Sequence, residues 1–351
     1  MKMCDGFVQA GCDVTLIACR GGDAGGLTPS QFYGTSENVR LAFIGEPPTA
    51  LGRMLYSWNA ARRARRGGAG RAFGRDLAGC YFAALLGLPV CYETHDPASQ
   101  LRGVKRHLFA RLIRHVNFRQ LVVITQVLKD TYVQEFGLPA GRILVLPDAA
   151  SEPVATPPIL PDSGRLTVGY LGHLYPGRGV DVIASLAASC EWADFHVVGG
   201  RDEDVLDWRT RCRGQANILF HGFVPHAQTA GYLASFDVVL APYQGRVTVE
   251  GKGDTSAFMS PLKLFEYMAA RKAILCSELP VLHDVMRDGG NCLLVPPGDL
   301  AAWGAALQRL REEPGLRARL ADEAYADFRR SHTWSARAER VLAALTTAHA
   351  G

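Results

Sequence analysis

Short apolar runs alternate with helix-length segments along most of this chain, and the alternation limits the folds open to it. Runs of this kind, bounded by glycine, proline or polar residues, are typical of strands buried on both faces of a parallel sheet. Parallel pairing requires long connections, which the helical segments supply. The runs lie at residues 14–19, 41–44, 89–93, 121–125 and 143–146, and then at 166–171, 194–198, 218–220, 238–240, 273–276 and 292–295. The pattern predicts an α/β fold of Rossmann-like, doubly wound parallel sheets.

A proline-rich stretch divides this alternation into two parts. Residues 151–164 lack hydrophobic periodicity, which is typical of a stiff linker. A chain of 351 residues also has the length of two ordinary domains. We therefore predict an N-terminal domain over residues 1–150 and a C-terminal domain over residues 165–330. The last helical segment, residues 331–351, is expected to pack back on the N-terminal domain.

Composition narrows the class of protein. Hydrophobic residues make up 48% of the chain and charged residues 21%, as in a soluble globular protein. No apolar run approaches the roughly 20 residues of a membrane-spanning helix, and the N-terminus has no apolar signal-peptide core. The nine cysteines show no metal-ligand spacing, so we expect reduced thiols, no metal site and a cytoplasmic location.

Charge is unevenly distributed between the two halves. Residues 1–150 carry 18 Lys and Arg against 11 Asp and Glu, whereas residues 151–351 carry 20 against 23. The basic clusters are Arg62, Arg63, Arg65 and Arg66, and then Arg102, Lys105, Arg106, Arg111, Arg114 and Arg119 on a helix predicted over residues 101–119. They are either ordinary solvated charges or a peripheral docking surface for an anionic membrane, where each adds about 1 kcal/mol. No nucleic-acid-binding motif accompanies them, so no nucleic acid partner is expected.

Residues 259–272 carry the features of a helix that begins at a ligand. Ser260 is predicted as the N-cap and Pro261 as the first helical residue. The backbone N–H groups of the first turn, which includes Leu262, and the helix dipole favour an anion. Lys263 adds a positive charge, and Glu266 lies on the same face three residues later, suited to accept from sugar hydroxyls. The alternative is a plain capped helix with a surface Lys–Glu pair.

This helix and the segment that follows it resemble a known family. Ser-Pro-Leu-Lys-Leu-Phe-Glu-Tyr-Met-Ala-Ala at 260–270 and Asp-Gly-Gly-Asn-Cys-Leu-Leu-Val-Pro-Pro-Gly-Asp at 288–299 are similar to the C-terminal domain of retaining family 4 glycosyltransferases. Shorter similarities lie at residues 92–96, 145–148, 172–179, 222–224 and 333–335. The resemblance implies a GT-B fold, in which two Rossmann-like domains face a central cleft. It also implies a nucleotide-diphospho-sugar bound mostly to the second domain, a sugar or lipid-linked acceptor bound mostly to the first, and no metal or other cofactor.

The same resemblance assigns the candidate donor-site residues. Arg178 and Lys263 correspond to the cations that hold the diphosphate and stabilise the leaving group. His173 stands where the family often has a second basic residue. Glu266 matches the glutamate that binds ribose hydroxyls. Phe223 and Val224 match a loop that faces the nucleobase, with simple packing at a strand end as the alternative.

Two further positions complete the predicted site. The first glutamate of the family's paired motif is replaced by Phe258, which leaves Asp254 as a candidate to reach the donor sugar. His95 follows a predicted strand, where open α/β sheets place their ligands. It is a candidate catalytic residue that contacts the donor sugar or the acceptor, and a structural loop histidine is the alternative.

The N-terminus departs from the family pattern. Residues 1–10 predict a helix, whereas a Rossmann-like domain opens on a strand and a glycine-rich turn. Either the start is misplaced in the sequence, or a central strand and part of the acceptor site are missing. Two functions therefore remain open: sugar transfer with retention in surface polysaccharide or glycolipid synthesis, or nucleotide binding by a catalytically impaired partner protein on the same fold.

Overall fold

A computed structural model describes residues 1–19, 28–45, 49–249 and 253–346 of the protein. It is a mixed α/β structure with parallel sheets, as the sequence predicts, and it divides into two compact units. Unit 1 comprises residues 1–147 and 333–351, and unit 2 comprises residues 148–332. Within the described ranges, every helix falls short of the length or apolar character needed to cross a bilayer.

Unit 1 contains two parallel sheets among its described residues. The first pairs β1 (Thr15–Cys19) with β2 (Arg40–Ile44). The second holds four strands in chain order: β3 (Ala72–Gly74), β4 (Val90–Thr94), β5 (Phe118–Val123) and β6 (Ile143–Val145). Its helices up to the unit boundary are α1 (Lys2–Gln9), α2 (Pro29–Tyr33), α3 (Ala50–Arg66), α4 (Leu77–Leu85), α5 (Gly103–Leu112) and α6 (Gln126–Phe136). The predicted N-terminal helix is confirmed as α1, whereas β3 was not predicted because three residues carry no detectable alternation.

The helix predicted over residues 101–119 is wrong in its length. α5 ends at Leu112, and residues 115–117 form a turn in which the Phe118 N–H donates to the His115 carbonyl over 3.0 Å. Val104 and Val116, placed on the apolar face by spacing alone, are 76% and 80% exposed. Because the helix stops early, Arg114 lies beyond it and Arg119 lies on β5. The second basic cluster is therefore spread over a helix, a turn and a strand.

Unit 2 is built on one six-stranded sheet in which every neighbouring pair is parallel. Its strands are β7 (Leu166–Leu171), β8 (Ala193–Val198), β9 (Ile218–Gly222) and β10 (Val238–Ala241), then β13 (Ala273–Ser277) and β14 (Leu293–Val295), with a small hairpin of β11 (Thr248–Val249) and β12 (Gly253–Asp254) between the two sets. The helices are α7 (Val180–Ser189), α8 (Asp202–Arg211), α9 (His226–Ser235), α10 (Leu262–Ala269), α11 (Leu300–Glu312) and α12 (Pro314–Ser331). In the spatial order β14-β13-β10-β7-β8-β9, the chain adds β8 and β9 on one side of β7 and then β10, β13 and β14 on its other side. The strand order therefore reverses between β7 and β10, although all the strands stay parallel. Open α/β sheets bind ligands at such a reversal.

The two segments next to the unit boundaries are each held by specific contacts. Residues 151–160 form no helix or strand, and the N–H groups of Ile159 and Leu160 donate to Ser235 Oγ over 2.9 and 3.1 Å. The last helix, α13 (Trp334–Thr346), belongs to unit 1 and packs against α1. The approach is close, because a Cβ atom at Gly6 would lie 2.3 Å from the Trp334 carbonyl oxygen.

Candidate functional site

Two loops meet at the point where the sheet of unit 2 reverses. The loop of residues 172–179 follows β7, and residues 242–246 follow β10. A Cβ atom at Gly177 would lie 1.9 Å from the Arg246 carbonyl oxygen, and one at Gly179 would lie 1.8 Å from the Pro242 carbonyl oxygen. Both glycines also have positive φ. Backbone therefore packs directly on backbone here, which only glycine permits.

Lys263 of α10 reaches into this junction. Its Nζ lies 3.7 Å from the centre of the Tyr170 ring and 5.3 Å from that of Tyr243, and a Cβ at Gly172 would approach it to 2.9 Å. The ammonium group is buried and has no hydrogen-bond partner among the described residues. Burial, together with the charge of Arg178, lowers the pKa of Lys263 well below its usual value. The alternative of a solvated surface lysine is therefore wrong.

Arg178 supplies the second cation of this cluster. Its guanidinium carbon lies 5.6 Å from the centre of the Tyr243 ring, and its Nε is buried without a hydrogen-bond partner in the described part of the chain. Buried donors are rarely left unpaired, because each costs roughly 1–3 kcal/mol. Two buried cationic groups with unused donors indicate the place of an anionic ligand. Such a ligand would favour the protonated form of Lys263.

His173 lies in the same loop but makes a different contribution. Its ring stacks on Tyr175 with centroids 4.9 Å apart, and Arg201 donates to the Tyr175 hydroxyl over 3.0 Å. Partial burial and the charges of Arg178 and Lys263 lower the pKa of His173. The imidazole is therefore neutral near pH 7 and adds a hydrogen-bonding group rather than a further charge.

The start of α10 differs from the prediction. The helix begins at Leu262, with Pro261 as its N-cap and no side-chain cap. The Ser260 hydroxyl accepts instead from the backbone N–H of Asp148 over 2.9 Å. Ser260 as N-cap is thus wrong, because its oxygen is used to hold the chain at the start of unit 2. Leu262 is 50% exposed at the helix tip.

Glu266 and Lys263 have the predicted relation on α10. They are three residues apart in a regular helix, and the Glu266 charge acts on Lys263 in the direction that raises the pKa of the lysine. Glu266 is half-buried.

Hydrogen bonds tie the carboxyl ends of three strands into one edge. The Gly172 N–H donates to the Val198 carbonyl over 2.9 Å, and the Gly199 N–H donates to the Gly222 carbonyl over 2.7 Å. Phe223 comes directly after β9 on this edge and is 77% exposed, whereas Val224 packs against the core. An exposed ring suits a flat ligand, while Val224 fits the simple packing alternative.

Asp254 is occupied within its own hairpin. Its Oδ1 accepts from the N–H groups of Val247 and Ser256 over 3.1 and 3.0 Å, and Arg246 Nε lies 3.7 Å from its Oδ2. Contact between Asp254 and a donor sugar stays a prediction.

His95 lies in unit 1, directly after β4. Its Nε2 is 2.8 Å from Glu93 Oε1, and the Glu93 carboxylate is buried. The sequence did not single out Glu93, nor Tyr170 and Tyr243, the rings around Lys263. Tyr170 carried a signal that could have been used, since it is the one aromatic residue in the strand Leu-Thr-Val-Gly-Tyr-Leu.

Known proteins are similar to this chain in both units. The family described as Glycosyltransferase Family 4 matches residues 1–150, and the one described as Glycosyl transferases group 1 matches residues 165–313. A phosphatidyl-myo-inositol mannosyltransferase of Mycobacterium leprae is 33% identical over 182 residues, which are 50% of this chain and 45% of that protein. The alignments thus span about half the length of the curated relatives that the chain matches.

Solved structures show the same fold at low sequence identity. Sucrose-phosphate synthase of Thermosynechococcus elongatus superposes with a TM-score of 0.69 at 15% identity, covering 97% of this chain and 90% of that one. Anabaena HepE in complex with UDP gives a TM-score of 0.65 at 14% identity, covering 88% and 86%. The two family matches and the similar solved structures agree with the parallel sheets of the two units. The chain therefore belongs to the family 4 glycosyltransferases, which have the GT-B fold.

Proposed function

We propose that this protein transfers a sugar, with retention of configuration, from a nucleotide-diphospho-sugar to a hydroxyl group of a sugar or lipid-linked acceptor. The observation that carries the proposal is the buried ammonium group of Lys263, which has no partner among the described residues and lies beside the buried Nε of Arg178. A diphosphate is the anion that the surrounding features favour. Glu266 follows one turn later on α10 to bind ribose hydroxyls, and the exposed Phe223 ring lies on the same sheet edge to face a nucleobase.

The chemistry follows from where charge develops. The bond between the anomeric carbon and the diphosphate oxygen breaks, and its electron pair stays on the departing nucleoside diphosphate. The acceptor hydroxyl oxygen bonds to the anomeric carbon from the same face, and its proton passes to the released diphosphate. Lys263, Arg178 and the N-terminus of α10 stabilise the growing negative charge, which is the largest contribution that such a site makes. His95 contacts the donor sugar or the acceptor.

The acceptor is proposed to be lipid-linked, with the reaction belonging to glycolipid or surface polysaccharide synthesis. The mannosyltransferase relative is named for a phosphatidylinositol acceptor. One stripe of α3 in unit 1 suits a lipid surface, because Leu51, Leu55, Arg62 and Arg66 recur at helical spacing and are all exposed. Ser57 and Ala61 are buried on the opposite side of this helix. An apolar start followed by arginines favours peripheral binding to an anionic leaflet.

Nucleotide binding tests the donor site directly. We expect UDP or GDP to raise the melting temperature of the wild type, since ligand at one hundred times its Kd adds about 2.7 kcal/mol of stability. Lys263→Met and Glu266→Ala should each abolish the shift. Lys272→Met is the matched control, because the Lys272 Nζ donates to the carbonyls of Ala234 and Phe236 and serves the fold only. If no nucleoside diphosphate raises the melting temperature of the wild type, the proposed donor site is wrong.

A panel of nucleotide sugars separates the enzyme from a non-catalytic binding protein on the same fold. A transferase releases nucleoside diphosphate slowly from its own donor and faster when acceptor is added. A binding protein gives the thermal shift without release. We expect release to persist in EDTA, because the proposal gives the leaving-group charge to Lys263 and Arg178.

A further inference from the structure

A buried ion pair in unit 1 links the last helix of the chain to the candidate site histidine. Arg337 of α13 is 2% exposed and Glu93 of β4 is 5% exposed. The Arg337 Nη2 lies 2.8 Å from Glu93 Oε2, and the other carboxylate oxygen, Oε1, lies 2.8 Å from His95 Nε2. Arg75 Nε, on an exposed side chain, is 4.0 Å from the same Oε1.

The fold explains why a carboxylate is buried at this point. β4 lies between β3 and β5, and all five of its residues are buried. Cys91 contacts the apolar cluster formed with α1 and α13, and Glu93 two residues later points to the same face. Burial alone would raise the pKa of Glu93, but the hydrogen bond from His95 and the charge of Arg337 outweigh it and lower the pKa to about 2. The carboxylate is therefore ionised and can only accept.

Arg337 is held rigidly enough to fix its partner. Its Nε–H donates to the Pro147 carbonyl over 3.0 Å, and its Nη2 donates to the Leu146 carbonyl over 3.2 Å. These contacts anchor the guanidinium to the segment after β6, so that its position does not depend on Glu93. A guanidinium fixed in this way holds its positive charge beside Glu93 Oε2 as an ion pair over 2.8 Å, which favours one place for the carboxylate.

We propose that Arg337 is a positioning residue for sugar transfer, which holds the Glu93 carboxylate so that His95 carries its proton on Nε2 and presents Nδ1 as an acceptor. Because an ionised carboxylate accepts only, the Nε2 atom facing it must be the protonated one in the neutral ring. No other hydrogen bond to the His95 ring is found among the described residues. The free Nδ1 would accept a hydrogen bond from a hydroxyl group of donor or acceptor. This inference rests on the proposed function for its role in transfer, but not for its geometry.

The ring tautomer of His95 is a suitable readout, because it would not change if Glu93 and Arg337 served only to stabilise the fold. In protein labelled with ¹⁵N-histidine, the wild type should show the Nε2–H form of His95, assigned by comparison with His95→Gln. Glu93→Gln keeps the shape but offers both a donor and an acceptor, so the single tautomer should be lost. Arg337→Met should also lose it, because an unpaired buried carboxyl takes up a proton and can then donate to the ring. Arg337→Lys, which keeps the charge without the fork, should restore the tautomer in part.

Kinetics and a matched control complete the test. We expect kcat to fall about a hundredfold in Glu93→Gln and Arg337→Met with little change in the KM for the donor, the size of effect that a misplaced reacting group produces. Arg340→Met is the control one turn along α13, because the Val145 carbonyl, 3.4 Å away, is the one hydrogen-bond acceptor of Arg340 found in the described part of the chain. It should change neither the tautomer nor kcat. If Arg337→Met does not fold, Glu93→Gln and Arg337→Lys decide the question.

The outcomes distinguish this inference from the proposed function. Loss of the Nε2–H tautomer in Glu93→Gln with no transfer by the wild type to any acceptor would overturn the proposed function, and with it the catalytic role of Arg337, while leaving the geometry standing. An unchanged tautomer in Glu93→Gln would overturn the positioning role, even if transfer were robust. A drop in kcat that Arg340→Met shares would overturn it as well.

Discussion

At the scale of single residues, the candidate donor site contains a buried charge that lowers the stability of the free protein and that the proposed function requires. Lys263 keeps a buried ammonium group without a partner in the described chain, between the rings of Tyr170 and Tyr243. Such a group costs roughly 1–3 kcal/mol or more, and a methionine of similar length would pack well against two aromatic rings. We therefore expect Lys263→Met to raise the free energy of unfolding in the absence of ligand, measured by denaturant titration, while nucleotide binding is lost.

Lys272, a partly buried lysine just after the C-terminal end of α10, provides the contrast. Lys272 donates to two backbone carbonyls, so Lys272→Met should lower the free energy of unfolding by leaving them unpaired. If Lys263→Met were destabilised as much as Lys272→Met, the ammonium group would have a structural partner and the anion site would lose its main support.

What the sequence could predict at this scale was local. The relation of Lys263 to Glu266 follows from three residues of helical spacing, and it is confirmed. Of the two tyrosines around Lys263, Tyr170 lies on β7 and Tyr243 lies in the loop after β10. These two strands are neighbours only because of the strand order of the folded sheet. Glu93 and Arg337 likewise meet because α13 returns to unit 1. Contacts of this kind leave no periodic signal in one sequence.

At the scale of elements, the loops after β7 and β10 pack against each other, backbone against backbone. Gly179 has a φ of +82°, and a Cβ there would lie 1.8 Å from the Pro242 carbonyl oxygen. Gly179→Ala should therefore combine backbone strain with a clash between two main chains. We expect a loss of more than about 3 kcal/mol in the free energy of unfolding, or a displaced loop with much weaker nucleotide binding, measured by denaturant titration and calorimetry.

A substitution at Gly214 separates the effect of backbone strain from the effect of a clash between main chains. This glycine has a φ of +92°, yet nothing lies within 4 Å of the place of its Cβ. Gly214→Ala should cost only the strain, roughly 1–2 kcal/mol, and leave nucleotide binding unchanged. Equal effects of the two substitutions would mean that the contact between the loops is unimportant.

Element boundaries were where prediction from the sequence failed. The helix over residues 101–119 was extended through a turn because Val116 continues the apolar spacing, although it is 80% exposed. The N-cap of α10 was misplaced because Ser260 and Pro261 have the right types, while the hydroxyl is used by the Asp148 N–H of a distant segment. In both cases a tertiary contact overrides a local preference that the sequence states correctly.

At the scale of the whole molecule, the basic N-terminal half and the proposed lipid-linked acceptor together predict binding to anionic membranes. Residues 1–150 carry the excess of basic residues, and the stripe of α3 adds Leu51 and Leu55, which are 72% and 54% exposed. We expect the protein to co-sediment with phosphatidylglycerol vesicles and not with phosphatidylcholine vesicles at low salt. Because each arginine near the surface contributes about 1 kcal/mol, Arg62→Glu with Arg66→Glu should weaken binding at least tenfold.

The leucines distinguish docking on a membrane from simple attraction between charges. Leu51→Ser with Leu55→Ser leaves the net charge unchanged but removes the apolar part of the stripe, so binding should fall and become more sensitive to salt. Leu206→Ser is the matched control, since Leu206 is 67% exposed on α8 in unit 2. If Leu206→Ser weakened binding as much as the α3 pair, or if vesicle charge made no difference, α3 would not be the docking helix. Vesicle binding that is lost only on removal of the arginines would instead indicate attraction between charges alone, because the exposed leucines would then stay in water and contribute nothing.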